Sequence, residues 1–114
     1  MADITTAITT VEPVELMDAD EWHKLHPTTF WMPPMEERQA LPEGTHVKLV
    51  FEGEPMAERM WVRIDWRSPE RAYYGTLINA PVYNKNIDYG DEVFFEPRHI
   101  IDIDFDAASD VEVA

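Results

Sequence analysis

The second half of the chain alternates apolar and polar residues with a period of two, the pattern of β-strands that bury one face. The clearest strand spans residues 59–66. Its apolar set is Met60, Val62, Ile64 and Trp66, and the intervening set is Arg59, Trp61, Arg63 and Asp65. Successive side chains of a strand point to opposite faces, so we expect the two sets on opposite sides of a sheet. Similar stretches at 46–51, 73–78, 93–95 and 99–103 bring the prediction to about five strands.

Short helices and an extended apolar segment are predicted before the sheet. Asp18 followed by Glu21 is the pattern of a helix N-terminal cap, and Pro27 ends that helix. A second short helix is expected to begin at Pro34, because proline suits the first turn of a helix. Between them, residues 30–32 precede two prolines, which favours an extended apolar segment rather than a helix.

These elements predict an α+β fold, in which short N-terminal helices precede a small, strongly bent antiparallel sheet or an SH3-like barrel. Gly75 lies inside the third predicted strand and indicates a bulge, a bend or close packing against an aromatic ring. We divide the chain into a flexible acidic arm at 1–13, a single domain at 14–103 and an acidic C-terminal tail at 104–114.

The net charge of this 114-residue chain is −14, from 23 acids against 9 bases. Such an excess of negative charge disfavours direct binding of nucleic acids or anionic membranes. The charge is concentrated at the ends, since residues 1–21 hold six acids, residues 100–114 hold five, and neither segment holds a base. Asp102, Asp104 and Asp106 recur at strand spacing and would place three carboxylates on one face, which leaves nucleic-acid mimicry open.

Composition also removes several kinds of chemistry. The chain has no cysteine, which excludes disulfides, thiolate metal sites and thiol catalysis. No window is apolar enough to span a bilayer, and the N-terminus lacks the pattern of a signal peptide. We therefore expect a cytoplasmic protein.

No residue pattern in the sequence indicates a catalytic site. Neither of the two serines lies in a nucleophile motif, and the four glycines are isolated rather than grouped in a phosphate-binding loop. His23 and His26 could begin a metal site, but two ligands do not complete one, and we expect no metal and no cofactor. His99 and Asp102 could form an acid–base pair, although a half-buried histidine with one hydrogen-bond partner is favoured. The prediction is a protein that is not an enzyme.

Aromatic and basic side chains form the best candidate for a binding surface, because Tyr, Trp and Arg are enriched at interface hot spots. Trp61 and Arg63 are expected on the face opposite the apolar set, and neighbouring segments supply the rest. The candidate binding residues are Trp61, Arg63, Tyr73, Asn79, Tyr83 and Arg98, together with the acids Asp102, Asp104 and Asp106. The alternative is that the helix and residues 30–32 cover this face and make Trp61 part of the core.

Three stretches of the second half carry a resemblance: ERMWVRI at 58–64, YYGTLINAPVY at 73–83 and YGDEVFFEPRHIIDI at 89–103. They resemble the YegJ-like family of small bacterial domains of unknown function. The matching positions are Met60, Trp61, Gly75, Leu77, Asn79, Pro81, Gly90 and Asp91. The last strand ends in Ile-Asp-Ile at 101–103, where that family more often has an aspartate-tryptophan end. The resemblance implies a fold and an accessory or conflict-related role, and it supplies no catalytic residues.

The leading functional prediction is a non-catalytic acidic interaction module that binds a protein partner with a basic surface. Its narrower form is a phage or bacterial conflict-related inhibitor. The alternative is a protein that binds or sequesters a small nucleotide-like molecule by aromatic stacking and arginine contacts, and a hydrolytic enzyme comes last. Exposed Trp and Met side chains could also form a homodimer interface, so a homodimer is a further alternative.

Overall fold

The computed structural model describes residues 15–53 and 55–106, and these form an α+β fold around one five-stranded antiparallel sheet. The strands are β1 (His46–Phe51), β2 (Glu58–Arg67), β3 (Tyr73–Leu77), β4 (Glu92–Phe95) and β5 (Ile100–Asp104). Their order across the sheet is β4-β3-β2-β1-β5. The predicted fold class and five antiparallel strands are confirmed. The sheet is open, because β4 and β5 lie at opposite edges, so the predicted alternative of a closed barrel does not form.

Two short helices precede the sheet, as the sequence predicts. Helix α1 (Ala19–Leu25) begins at Asp18, whose carboxylate accepts a hydrogen bond from the Glu21 N–H at 3.2 Å. Helix α2 (Met35–Arg38) has Pro34 at its N-terminal cap position. A 3₁₀ turn (Pro97–His99) joins β4 to β5. Among the described residues, no helix is long and apolar enough to cross a membrane.

One face of the sheet is closed by a continuous hydrophobic core, and we call it the closed face. Alternate residues of all five strands point into it, and Leu41 and Ile87 from the connecting segments complete it. Tyr73 and Phe95 pack in this core with ring centroids 5.3 Å apart. Burying this apolar surface supplies the main driving force for folding the sheet.

The opposite face, which we call the open face, is covered only in part. Phe30 and Met32, from the predicted extended segment, pack with Ala19 of α1 against Val50 and Ile101. Trp31, between the two buried residues, is exposed. The cover therefore protects the β1 and β5 end of this face and leaves the β2, β3 and β4 end uncovered.

A β-bulge in β2 changes the face on which Trp66 lies. Ile64 pairs with Gly75 and Trp66 pairs with the next residue of β3, Tyr74, so Asp65 is the extra residue. The bulge turns Trp66 onto the open face, where it is 49 % exposed. The prediction that Trp66 shares the face of Met60 is therefore wrong beyond Ile64, because strict alternation ends at the bulge.

Arg38 connects elements on the two sides of the sheet. Its buried guanidinium donates to the carbonyls of Pro33 at 2.7 Å and Pro97 at 2.8 Å, and to the Asp20 carboxylate at 3.0 Å. The Arg38 carbonyl in turn accepts from the Tyr73 hydroxyl at 2.7 Å. Both helices and the 3₁₀ turn are thereby tied to the closed-face core.

The ends of the predicted domain division fall partly outside the described residues. The arm at 1–13 lies outside them, as does the tail from residue 107 onwards. Asp104, the first residue of the predicted tail, ends β5.

Candidate binding surface

Three aromatic side chains form a row across the uncovered end of the open face, and we call Trp66, Tyr74 and Phe94 the aromatic row. They lie on β2, β3 and β4 because Trp66 pairs with Tyr74 and Tyr74 pairs with Phe94. Ring centroids are 4.9 Å apart in each of the two neighbouring pairs. Trp66 and Phe94 are about half exposed. Three neighbouring rings on one sheet face form a contiguous apolar surface.

Carboxylates lie next to the aromatic row. Asp65 accepts a hydrogen bond from the Arg63 Nε–H at 2.8 Å and a short one from the Thr76 hydroxyl. Glu92 is paired with Thr76 across β3 and β4 and is exposed. The aromatic row therefore borders a polar strip whose formal charge is negative.

Trp61 and Arg63, two of the predicted binding residues, do lie on the open face. Trp61 is half-buried, and the Lys48 ammonium lies 5.0 Å from the centroid of its ring in a cation–π contact. Arg63 forms an exposed ion pair with Asp65. Trp61 is therefore neither fully exposed nor part of the core. The alternative that the helix and residues 30–32 bury it completely is wrong.

Tyr73 lies on the other side of the sheet and does not join this surface. Its hydroxyl accepts from the Leu41 N–H at 3.2 Å and donates to the Arg38 carbonyl. Burial raises the pKa of this hydroxyl above its usual value. Tyr73 is a core residue, and its neighbour Tyr74 takes the place on the open face.

Asn79 and Tyr83 are placed by backbone hydrogen bonds in the segment between β3 and β4. Asn79 Oδ1 accepts from the Trp61 N–H at 2.5 Å. The Tyr83 N–H is one of three successive backbone donors to Glu58, with Val82 and Asn84 as the others. Burial opposes ionisation of Glu58, but these three donors outweigh it and hold the pKa below its usual value. The contacts of Asn79 and Glu58 fix the path of the chain.

Arg98 lies beside α1. Its guanidinium donates to Glu96 at 2.6 Å and to Asp18 at 2.9 Å, and these two bonds raise its pKa. Asp18 is partly desolvated, yet the bonds from Arg98 and from Glu21 hold its pKa below the usual value. Arg98 thus stabilises the junction of α1 with the 3₁₀ turn.

The three predicted aspartates do not form an isolated carboxylate row. Asp102 lies opposite Lys48 and Asp104 lies opposite His46 across β1 and β5. Asp106 follows the strand, and its N–H donates to Asp104 at 3.1 Å. Each of the first two carboxylates therefore faces a basic side chain, Lys48 or His46, on the neighbouring strand.

The histidines make local hydrogen bonds. His99 is buried, its Nδ1 accepts from the Glu96 N–H at 3.0 Å, and burial lowers its pKa, with the nearby Arg98 adding to the effect. A ring nitrogen of His23 lies 2.7 Å from the Phe30 carbonyl oxygen. Within the described ranges, no cluster of three or more residues has the side chains to hold a metal ion.

The aromatic row is the feature that the sequence analysis missed. Phe94 sits between two core residues, Val93 and Phe95, so strand alternation could have placed it on the open face. Trp66 could not be placed in this way because of the bulge. The usable signal was Gly75, which pairs with Ile64 immediately before the bulge.

The comparisons with known proteins place the chain in a family. Residues 16–111 match a sequence profile described as an uncharacterized protein conserved in bacteria, DUF2314. The chain belongs to the DUF2314 family. No curated protein and no solved structure matches it. The expectation of a small bacterial domain of unknown function is confirmed, and the match extends upstream of the sheet to include both helices.

Proposed function

We propose that this DUF2314 protein is a non-catalytic interaction module that binds a basic surface of a partner protein through the aromatic row. The observation that supports the proposal is the exposure of Trp66 and Phe94 beside Tyr74 on the uncovered end of the sheet. Large aromatic side chains bury much area at little cost in conformational entropy and dominate interface energetics. A partner that covers this row would remove three rings from water together.

The charges around the aromatic row favour a basic partner. Asp65 and Glu92 lie beside the rings, and although Asp65 is ion-paired with Arg63, Glu92 leaves these three side chains with a net negative charge. The chain as a whole carries a net charge of −14. A lysine or arginine of the partner can contact an aromatic face by a cation–π interaction while a carboxylate balances its charge. Negative net charge also speeds association with a basic surface, an effect that weakens as salt rises.

The charges along β1 and β5 argue against nucleic-acid mimicry as the form of this function. A mimic presents carboxylates at regular spacing, whereas Asp102 and Asp104 lie opposite Lys48 and His46. The narrower predictions, a YegJ-like protein and a conflict-related inhibitor, remain extensions of the proposal. The inhibitor would require that the basic partner be an enzyme or toxin.

Quantitative affinity capture from a bacterial lysate with the full chain as bait tests the proposal. The informative bait is the double variant Trp66→Ser, Phe94→Ser, which removes two rings of the aromatic row. Its matched control is Leu25→Ser, Tyr89→Ser, because these two apolar residues are 71 % and 67 % exposed and lie off the row.

The expected result is a protein partner whose capture falls about tenfold or more with the row variant, since losing two hot-spot residues costs over 1 kcal/mol each. The control should retain it. The affinity of the purified partner for the chain should fall as salt rises. Equal capture by the two variants would contradict the proposal, as would a partner whose binding is independent of salt.

A further inference from the structure

A second feature of the open face lies at its covered end, where residues 29–31 approach side chains of β1, β2 and β5 without covering β2. A cavity of about 210 Å³ opens there between Thr29, Phe30 and Trp31 on one side and Lys48, Arg59 and Asp102 on the other. The aromatic row does not line it. We propose that this cavity binds a small monocarboxylate that carries one planar ring.

The wall made by residues 29–31 is held in place independently of any ligand. Phe30 packs against Val50 and Ile101, and its carbonyl lies 2.7 Å from a ring nitrogen of His23. The Phe30 N–H also donates to the His26 carbonyl at 3.0 Å. A preformed wall lowers the conformational entropy that binding must overcome.

Two cationic side chains of the cavity have no carboxylate partner. Neither Lys48 nor Arg59 forms an ion pair with any residue in the described ranges. The contact of Lys48 with the Trp61 ring holds its ammonium on this face. Lys48 and Arg59 therefore place beside this cavity two positive charges that form no ion pair within the described part of the chain.

The charge count of the cavity selects an anion of one charge. Lys48 and Arg59 contribute two positive charges, and Asp102 contributes one negative charge, so the lining has a net charge of +1. Arginine can donate two parallel hydrogen bonds to a carboxylate, and lysine adds a point charge. A phosphate dianion would leave negative charge uncompensated.

The size and the aromatic wall select the rest of the ligand. The volume lies below the ~300–1,000 Å³ of pockets for drug-sized ligands, which favours a small ligand over a nucleotide. Trp31 lines this cavity and is 70 % exposed to solvent, so its indole can turn to stack on a planar group of the ligand. One ring with one carboxylate satisfies both features.

Titration of the full chain with benzoate, followed by two-dimensional amide NMR, tests the inference. We expect saturable shifts for the Trp31 indole N–H and for backbone signals of Lys48 and Arg59, without matching shifts in the aromatic row. Benzamide keeps the ring and removes the charge, and acetate keeps the charge and removes the ring. Each should bind about tenfold more weakly, the usual effect of losing one charge-assisted contact or one stacked ring.

Four single variants make the test specific. Lys48→Gln and Arg59→Gln should each weaken benzoate binding about tenfold, because each removes a charge-assisted hydrogen bond. Lys85→Gln removes the same charge from an exposed site away from the cavity and should leave the affinity unchanged. Asp102→Asn should tighten binding about two- to fivefold, since it removes a competing negative charge.

Each of the following results would overturn the inference: shifts that rise linearly without saturation, equal affinity for benzoate and benzamide, or equal weakening by Lys85→Gln and Arg59→Gln. Retained NMR spectra of the variants would show that the fold is intact. Binding of benzoate is independent of the aromatic row, so the Trp66→Ser, Phe94→Ser variant should bind it normally. A negative result with benzoate would therefore not contradict the proposal that the aromatic row binds a protein partner.

Discussion

The two faces of the sheet use neighbouring aromatic residues for opposite purposes. Tyr73 and Phe95 stack on the closed face within the core, whereas Tyr74 and Phe94, one step along the same two strands, touch each other on the open face. Both pairs lie on β3 and β4 and have ring contacts of similar distance. The two faces differ in what covers them. Connecting segments cover the closed face, whereas residues 30–32 cover only the β1 and β5 end of the open face.

This comparison shows why composition alone does not separate core from binding surface. The aromatic side chains of the two faces are of the same types and even adjacent in sequence. What differs is whether the hydroxyl and the ring find partners inside the protein. Tyr73 makes two hydrogen bonds, one with Arg38 at the end of α2 and one with Leu41 after it, and these tie its ring to the core.

The largest expected difference between the faces comes from a matched pair of substitutions. Tyr73→Ala should cost about 3–5 kcal/mol of unfolding free energy, because it leaves a cavity in the core. Tyr74→Ala should cost about 1 kcal/mol, the value of its aromatic contacts. Urea denaturation of the two variants measures both. Similar losses would show that the open face is as well packed as the closed face.

Arg38 provides the next largest effect. Arg38→Met should lower the unfolding free energy by about 2–4 kcal/mol, because it leaves one buried and one partly buried carbonyl without their donor and Asp20 without its partner. The same substitution at Arg98, which is 48 % exposed and also ion-paired, should cost no more than about 1 kcal/mol. Thermal or urea unfolding distinguishes them, and equal losses would contradict the role of Arg38 as a buried tie.

Gly75 tests the bulge that turns Trp66 onto the open face. A Cβ at this position would overlap the Arg63 carbonyl oxygen and lie 2.6 Å from Val62 Cγ1. Gly75→Ala should therefore cost about 1–3 kcal/mol, the usual price of overpacking. At Gly53 the atom nearest to an added Cβ would be Asn84 Nδ2 at 3.2 Å, a contact that a shift of a few tenths of an ångström relieves, so Gly53→Ala should cost less than about 1 kcal/mol. If Gly75→Ala costs equally little, the two strands are less closely packed there than described.

His99 supplies the smallest expected effect, a dependence of stability on pH. Its pKa is lowered in the folded protein, so the unfolded chain binds the proton more readily. The contribution of His99 to the unfolding free energy is therefore complete above the unfolded pKa near 6.5 and is lost as pH falls below that value. The slope from this one group is at most about 1.4 kcal/mol per pH unit.

Urea unfolding between pH 8 and pH 5.5 measures this dependence for the natural chain and for His99→Gln. Glutamine can still accept the hydrogen bond from the Glu96 N–H but cannot be protonated. The variant should show a flatter profile. A profile unchanged by the substitution would assign the pH dependence to other groups.

Much of the fold was predictable because it depends on local patterns. Asp18 caps α1 as expected, since the capping bond involves a residue only three positions away. The strands follow from alternation, and the antiparallel pairing of β1 with β2 and of β2 with β3 follows from the short connections between them. The residue-level prediction failed at Trp66, because one extra residue at Asp65 reverses the faces and the alternating pattern does not reveal it.

The candidate site was less predictable than the fold. Trp61 and Arg63 were placed on the correct face because they precede the bulge. Tyr73 was chosen as a binding residue, although it is core, because the sequence does not say which of two adjacent tyrosines is covered. The pairing of Lys48 with Trp61 joins residues of different strands and depends on the register.

The sequence by itself determined the α+β class, the N-terminal cap of α1, the number of strands and the acidic net charge. These depend on short-range periodicity, backbone restrictions and composition, which operate along the chain. The tertiary structure alone decided that the sheet stays open, that residues 30–32 cover only part of one face, and that Trp66 joins Tyr74 and Phe94. Those outcomes depend on strand register and on contacts between distant segments, whose free energies differ by amounts that no local pattern encodes.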